Sequence, residues 1–429
     1  MTRRTGYAIV LAAAVLPRLV VILGERGSIL EELVEKSDRF AQTLVESGTF
    51  GFLPGRPSGY TQPLYAWLLA GLYWIFERNW LVVGIAHIVL AALTAVIVLE
   101  IGRRVVSLEV GVVGASIATL HPFLVWHDMH LNREILDGLL LSAVTLLALV
   151  VVDRRRAGHA RPLHLAVALG VAVGLAILGN ARLALLPLVL AGFVAWPFRP
   201  RKEAALLAGA VVAAAALVVL PWMARNQAQV GCFTLTTDAR ALWKANNSNT
   251  WETLDRGGWI DDVPEPPGGP PWPELAADLT LAGTPTEVDE CEQQRYYREL
   301  VFDFWREEPG EKGRLAAQAV RMLWSPTFSV DSNDSGRGRL AELGRDVVEP
   351  AYMIAVYVLA IWGTFLLPRR FLALALLLLS YNTLVAMVFA GTVRYRAPFD
   401  FLLAILAAAA LVHGWGWLRE RRRDPATQP

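Results

Sequence analysis

Apolar runs of about twenty residues, the span of a bilayer core, recur from one end of this chain to the other, and no other feature restricts the fold as strongly. They lie near residues 6–24, 58–76, 79–102, 105–123, 135–152, 162–179, 183–197, 203–222, 350–367, 371–391 and 397–418. Only 18% of the 429 residues are charged, 55% are hydrophobic, and the mean hydropathy is +0.41. A soluble domain of this size carries more charge, so the expected class is an all-α polytopic membrane protein. The formal net charge is +1, with basic residues in short dispersed clusters. That pattern gives no electrostatic footprint for nucleic acid. Of the 40 Lys and Arg residues only Lys36, Lys202, Lys244 and Lys312 are lysines, and Ala and Leu are abundant. That bias points to a GC-rich bacterial genome and, with the spans, to a bacterial plasma membrane.

The short basic clusters orient the spans. They are Arg3-Arg4, Arg103-Arg104, Arg154-Arg155-Arg156 with Arg161, Arg199 with Arg201-Lys202, Arg369-Arg370, and Arg419 to Arg423. Eleven spans would scatter these clusters over both faces. Demoting 58–76 puts all of them on the cytoplasmic side, as the positive-inside pattern requires. That segment carries Tyr60, Tyr65, Trp67, Tyr73 and Trp74, and aromatics at such density favour the headgroup interface. About ten spans with both termini cytoplasmic are therefore expected. The N-terminal run is interrupted by Pro17-Arg18 and lacks a small-x-small cleavage site before Glu25, so it reads as a retained anchor.

This topology leaves outer segments at 25–78, 121–134, 180–182, 222–349 and 392–397. The chain divides into an N-terminal transmembrane module, 1–227, an outer loop subdomain, 228–349, and C-terminal helices with a cytoplasmic tail, 350–429. The large loop holds a Pro/Gly-rich stretch at 263–273, two expected helices at 288–307 and 311–324, and a polar segment at 331–338. Both cysteines, Cys232 and Cys291, fall in it. A disulfide suits an oxidising compartment, while spacing alone leaves two unpaired thiols equally open.

Chemistry-bearing residues gather on the outer side. Residues 28–47 have helical periodicity, with Ile29, Leu30, Leu33, Phe40 and Leu44 on one arc and Glu31, Glu35, Arg39 and Glu46 on the other. Asp38 lies at the border, as suits a base acting at a membrane surface and equally a solvated acid at a helix edge. In the second outer loop His127, Asp128, His130, Arg133 and Glu134 fall within eight residues. A continuous helix would put His127, His130 and Glu134 on one face as a metal constellation. A structural helix start with Asn132 as N-cap competes with it. Arg18, Arg182, Arg225, Arg394 and Arg396 break the positive-inside pattern. An arginine at membrane depth is costly unless it faces protein, water or an anion, and guanidinium groups pair bidentately with phosphate. Snorkelling, or pairing with loop acids, is the alternative for each one.

In this order the pieces resemble the GT-C superfamily of membrane glycosyltransferases, in the branch of protein O-mannosyltransferases and aminoarabinose transferases. SDRFAQTLVESGTFGF followed by SGYTQPLYAWLLAGLY is similar to that family's first-loop aspartate, helix and Pro-aromatic interfacial segment. PWMARNQAQVGCF resembles its Pro-x-x-x-Arg-Asn stretch, and RYRAPFD its late Arg-Tyr-Arg-x-Pro helix start. Two departures stand out: Asp38 is followed by Arg39 rather than a second acid, and Gln62, not lysine, precedes Pro63. The resemblance implies a GT-C-like fold with amphipathic helices in the first outer loop. It implies transfer of a sugar, with inversion, from a polyprenyl-phosphate donor to an acceptor hydroxyl outside the cytoplasm. Asp38 is then the general base and Glu134, or less well Asp128, an orienting acid. Arg182, Arg225, Arg394, Tyr395 and Arg396 would bind the donor phosphate; His127, Asp128, His130, Asn226 and Gln62 are candidates for acceptor contact. Partners are membrane lipid, the lipid-linked donor and an acceptor glycan, lipid or protein; a divalent metal stays open at His127, His130 and Glu134. A transporter or flippase for a lipid-linked substrate is the alternative. Charge at the outer surface rather than the midplane speaks against it, and Pro17-Arg18 keeps it open. Polymer ligases of the same superfamily form a third class.

Overall fold

The computed structural model describes residues 1–32, 34–157, 162–196, 201–327 and 343–423. Leu33, Arg161, Arg199 and the polar segment 331–338 lie outside the described residues. Among those described there is no strand, only an isolated bridge between Leu53 and Arg56.

The first helix, α1 (Arg3–Glu25), starts at Thr2, whose hydroxyl caps the backbone of Thr5, and it continues through Pro17. A 3-10 turn, Arg26–Leu30, leads to α2 (Lys36–Ser47). The helix expected over 28–47 is thus interrupted: Glu35 has extended backbone, ψ 151°, and sits at the N-cap of α2 rather than on a helix face. The interfacial segment is α3 (Pro63–Phe76), with proline at the first helical position, where its missing N–H costs nothing. It packs mainly on α2, and Trp74, Ile75 and Phe76 at its end are exposed. Next come α4 (Trp80–Val105), capped by Asn79, α5 (Leu108–Thr119), α6 (Pro122–His127) and α7 (Glu134–Arg156). Then α8 (Leu163–Gly179), α9 (Leu186–Ala195) and α10 (Arg201–Gln229) follow.

Past α10 the large loop folds into α11 (Ala239–Lys244), α12 (Thr250–Asp255), α13 (Pro273–Leu281), α14 (Glu290–Glu307) and α15 (Pro309–Leu323). The chain returns through α16 (Glu349–Gly363), α17 (Arg369–Val388), a single turn α18 (Val393–Arg396) and α19 (Asp400–Arg423).

Among the described residues seven helices are long and apolar enough to cross a membrane: α1, α4, α7, α10, Gly344–Gly363, α17 and Val393–Arg419. Shorter apolar helices are α3, α5, α8 and Ala181–Ala195. A count of ten requires α5, α8 and α9 to cross as well. Side-chain contacts show which helix ends meet. Asp153, near the end of α7, pairs with Arg104 of α4 and Arg370 of α17, and Glu100 takes Tyr7 and Arg103. The clusters Arg3-Arg4, Arg103-Arg104, Arg154 to Arg156 and Arg369-Arg370 therefore share one end of the bundle. At the other end Arg18 reaches Thr119 of α5, and Asn180, past α8, reaches Asp137 of α7. The short helices α5 and α8 thus each lead from one end to the other.

Between the ends the bundle buries one continuous apolar core. Its outer wall stays apolar too: Val20, Leu217 and Phe365 are 72%, 72% and 82% exposed. A water-soluble surface would not carry such residues on helix after helix, whereas lipid accommodates them. Small residues allow close packing. A Cβ on Gly102 of α4 would lie 2.6 Å from Cα of Gly111 on α5, so that hairpin closes only with glycine there.

Cys232 and Cys291 form a disulfide, Cα to Cα 5.8 Å, across a sequence separation of 59. It joins the strap after α10 to the first turn of α14. Closing a loop of that length restricts the unfolded chain, so replacing both cysteines by serine should cost the loop about 2–4 kcal/mol. Limited proteolysis of the detergent-solubilised protein should show much faster cleavage within 232–291 while the helices stay intact; unchanged cleavage would contradict this.

Candidate functional site

Two acidic centres form at the loop end. The first surrounds Asp38, in the first turn of α2 and 4% exposed. Tyr73 Oη donates to its Oδ1 at 2.5 Å, and Arg78 donates Nε to Oδ1 at 3.1 Å and Nη2 to Oδ2 at 2.9 Å. Gln42, one turn along α2, donates Nε2 to Oδ2 at 2.8 Å. Burial alone disfavours the Arg78 cation, but hydrogen bonding and the charge of Asp38 outweigh it and raise its pKa. Burial, then Asp38, pushes the Tyr73 phenol upward. Arg78 therefore stays a cation and Tyr73 a neutral donor, and together they hold a fixed carboxylate.

The second centre grows from the start of α7. Glu134 and Asp137 lie three residues apart in its first turn, where the helix dipole favours negative charge. Glu134 accepts from Arg394 Nε at 2.5 Å, and His127 Nε2 is 3.4 Å from its other oxygen. Arg133 donates Nη1 to Oε1 of Gln62 at 2.5 Å and lies 3.6 Å from Glu35. Glu35 is 3.9 Å from Arg394. Asp137 accepts from Asn180 Nδ2 at 2.8 Å, and Asn180 Oδ1 caps the backbone of Arg182. Asn132, expected as N-cap of α7, instead turns its amide toward His127 Nδ1 at 3.5 Å. Arg133 takes the cap position without a side-chain bond.

Beside this network is a cleft lined by Asp137, Asn180, Arg182, Tyr381, Arg394 and Tyr395. Arg182 stacks its guanidinium 3.8 Å above the Tyr395 ring and donates Nη2 to the carbonyl of Ala390 at 3.1 Å. Its Nε is buried with no hydrogen-bond partner, and so is Oδ1 of Asp137. A buried unpaired donor is costly, and a guanidinium is a group able to pair with an oxyanion.

The other expected arginines have different work. Arg394 and Arg396 are two residues apart in one helical turn, about 200° around the axis, so they diverge. Arg396 is fully buried, donating Nε to Asp400 at 3.0 Å and Nη1 to the carbonyls of Leu323 and Ser325 at 2.9 and 2.6 Å. Arg225 donates to the carbonyls of Ser58 and Phe50 at 2.7 and 3.1 Å, and also to Oδ1 of Asn226, whose amide donates to Thr234 O. That pair pins the first loop to the end of α10. Arg18 gives Nη2 to Asp128 at 2.6 Å and Nη1 to Thr119, so Asp128 is consumed inside the bundle.

The His130 ring lies against that of Trp126, centroids 4.1 Å apart and tilted by 40°, with Nδ1 on that residue's carbonyl. Because α6 ends at His127, the continuous helix needed to align His127, His130 and Glu134 is broken. Among the described residues no group of three His, Cys, Asp or Glu is placed to hold a metal ion. The sequence reading did not single out Arg78, Tyr73, Glu35 or Asp137 as site residues. Only the placement of Asp137 one turn after Glu134 offered a signal.

Comparison with known proteins places the fold. A family model described as dolichyl-phosphate-mannose-protein mannosyltransferase matches residues 56–223, a stretch that includes Gln62, Glu134 and Arg182. No curated protein matches the chain by sequence. The archaeal oligosaccharyltransferase AglB from Archaeoglobus fulgidus, solved with an inhibitory peptide and a dolichol-phosphate, is similar over 98% of this chain and 52% of its own. The TM-score is 0.52 and the identity 15%. An Archaeoglobus fulgidus oligosaccharyltransferase tethered to an acceptor peptide gives a TM-score of 0.55 at 13% identity, over 98% and 51% of the two chains. ArnT from Cupriavidus metallidurans, bound to undecaprenyl phosphate, aligns over 100% and 82% with a TM-score of 0.45 and 15% identity. The chain spans about half the length of the two archaeal chains. Its fold is the all-helical GT-C-like fold of a multi-pass membrane protein.

Proposed function

We propose that this chain is a glycosyltransferase that moves a sugar from a polyprenyl-phosphate donor to an acceptor hydroxyl. The observation that carries the proposal is the cleft in which Arg182 and Arg394 flank Tyr395 while Arg182 Nε stays buried and unpaired. A phosphate there satisfies that donor and gains the charge of both guanidinium groups. Support also comes from the mannosyltransferase model over 56–223 and from neighbours solved with dolichol-phosphate and acceptor peptide.

In the reaction the acceptor oxygen attacks the anomeric carbon and its proton passes to the Asp38 carboxylate. The bond from that carbon to the phosphate oxygen breaks, and its electron pair leaves with the polyprenyl phosphate. Arg182 and Arg394 hold the growing charge. Tyr73 and the fork of Arg78 hold the Asp38 carboxylate in place, and the neutral amide of Gln42 is the donor that the acceptor hydroxyl replaces. A single displacement inverts the anomeric centre. Glu134 orients Arg394. The chain crosses the membrane ten times with both termini cytoplasmic and this chemistry outside, an arrangement supported by the shared basic end and by a disulfide in the large loop.

The test uses the purified full chain in nanodiscs. It should retain undecaprenyl phosphate in strong preference to undecaprenol, and it should release labelled sugar from a polyprenyl-phosphate donor to a hydroxyl acceptor. Equal affinity for the phosphate and the alcohol would end this proposal.

A further inference from the structure

Glu35 fits none of the roles assigned so far. It is held by the extended residue that opens α2, so its side chain turns inward, and its carboxylate is 14% exposed. It accepts the backbone N–H of Arg133 at 3.2 Å. Toward the guanidinium groups it is loosely held: 3.6 Å from Nε of Arg133 and 3.9 Å from Nη2 of Arg394, both beyond hydrogen-bond length. Nε of Arg133 is buried with no hydrogen-bond partner. Glu134, by contrast, holds Arg394 at 2.5 Å. One carboxylate therefore touches two guanidinium groups without satisfying either, while its neighbour binds tightly.

The charge balance of this centre gives the mismatch a meaning. Glu35 and Glu134 face Arg133 and Arg394, two acids against two guanidinium groups. A phosphate entering such a set makes it net negative in a poorly solvated place, which is unfavourable. Releasing the most weakly held acid removes the excess. Glu134 and Asp137 are fixed in the first turn of a long helix, whereas Glu35 hangs from the non-helical backbone between the 3-10 turn and α2.

We propose that Glu35 is an anionic placeholder beside the donor cleft, so that a phosphate held by Arg182 and Arg394 displaces its carboxylate from Arg133 and Arg394. It rests on the reading of the cleft as a donor-phosphate site. Glu35 lies three residues ahead of Asp38, so its release is felt at the start of the helix that carries the base. It acts on the donor through the two arginines and is a positioning residue.

Purified protein in detergent, titrated with undecaprenyl phosphate and in parallel with undecaprenol, tests this. Glu35→Gln removes the competing charge, and the phosphate should bind about five- to tenfold more tightly, with undecaprenol unchanged. Loss of a merely structural contact would weaken binding, so the sign separates the two roles. In the transfer assay the same variant should lower the donor KM without raising kcat. Unchanged or weaker phosphate binding by Glu35→Gln, in protein that still prefers phosphate to alcohol, overturns the placeholder and leaves the glycosyltransferase reading standing. A wild type without that preference overturns the reading itself. Should Glu35→Gln fail to melt cooperatively, Glu35→Ser is judged by the same criteria.

Discussion

Asp38→Asn should lower sugar transfer by roughly a thousandfold, a loss typical of a removed general base, while undecaprenyl phosphate still binds. The substitution preserves shape but leaves one side of the nest with an amide facing Arg78, whose Nε and Nη2 both point at the carboxylate. Some stability is lost as well, because Arg78 is only 32% exposed and keeps its charge. Arg78→Met in the same chain relieves that cost and does not restore a base. Transfer therefore stays low in the double variant even as its melting temperature recovers. Full transfer by Asp38→Asn would remove the base assignment. Recovery of transfer in the double variant would show that Asp38 serves only to neutralise Arg78.

Arg394→Ala should cost both folding and chemistry. It strips the buried Glu134 of its strongest partner, and breaking a buried ion pair from one side typically costs about 3–5 kcal/mol. It also removes a cation from the leaving phosphate, worth on the order of a hundredfold in rate. Glu134→Gln in the Arg394→Ala background separates the two, since it removes the stranded charge and should recover much of the stability. If Arg394 only props the fold, activity returns with stability; if it holds phosphate, activity stays low. Denaturation midpoints and initial rates on the same preparations decide the matter.

Local chemistry made much of this architecture legible. The helices expected at 288–307 and 311–324 are found at Glu290–Glu307 and Pro309–Leu323, because their apolar spacing and the Pro309 start are local signals. Pro63 opened the interfacial helix as its position in the sequence indicates. The first loop was misread over 28–35, where SILEELVE has helical periodicity. There the loose pairing of Glu35 with Arg133 and Arg394, set by tertiary structure, accompanies an extended break. The same limit hid the surroundings of Asp38: Tyr73 and Arg78 lie 35 and 40 residues away, and no motif connects them. Arg394 and Arg396 are different, because their divergence follows from helix geometry alone. Arg225 looked like part of a cradle, but a guanidinium just past a span serves equally well to collect backbone carbonyls, and here it holds Phe50 and Ser58.

The single carboxylate of Asp153, gripping Arg104 and Arg370, ties α4, α7 and α17 together at the basic end. The opposite end is laced as well, by Asn180 on Asp137 and by Arg182 on the carbonyl of Ala390. Widening the cleft beside Arg182 would therefore have to undo those two contacts while the basic end keeps the three helices in register.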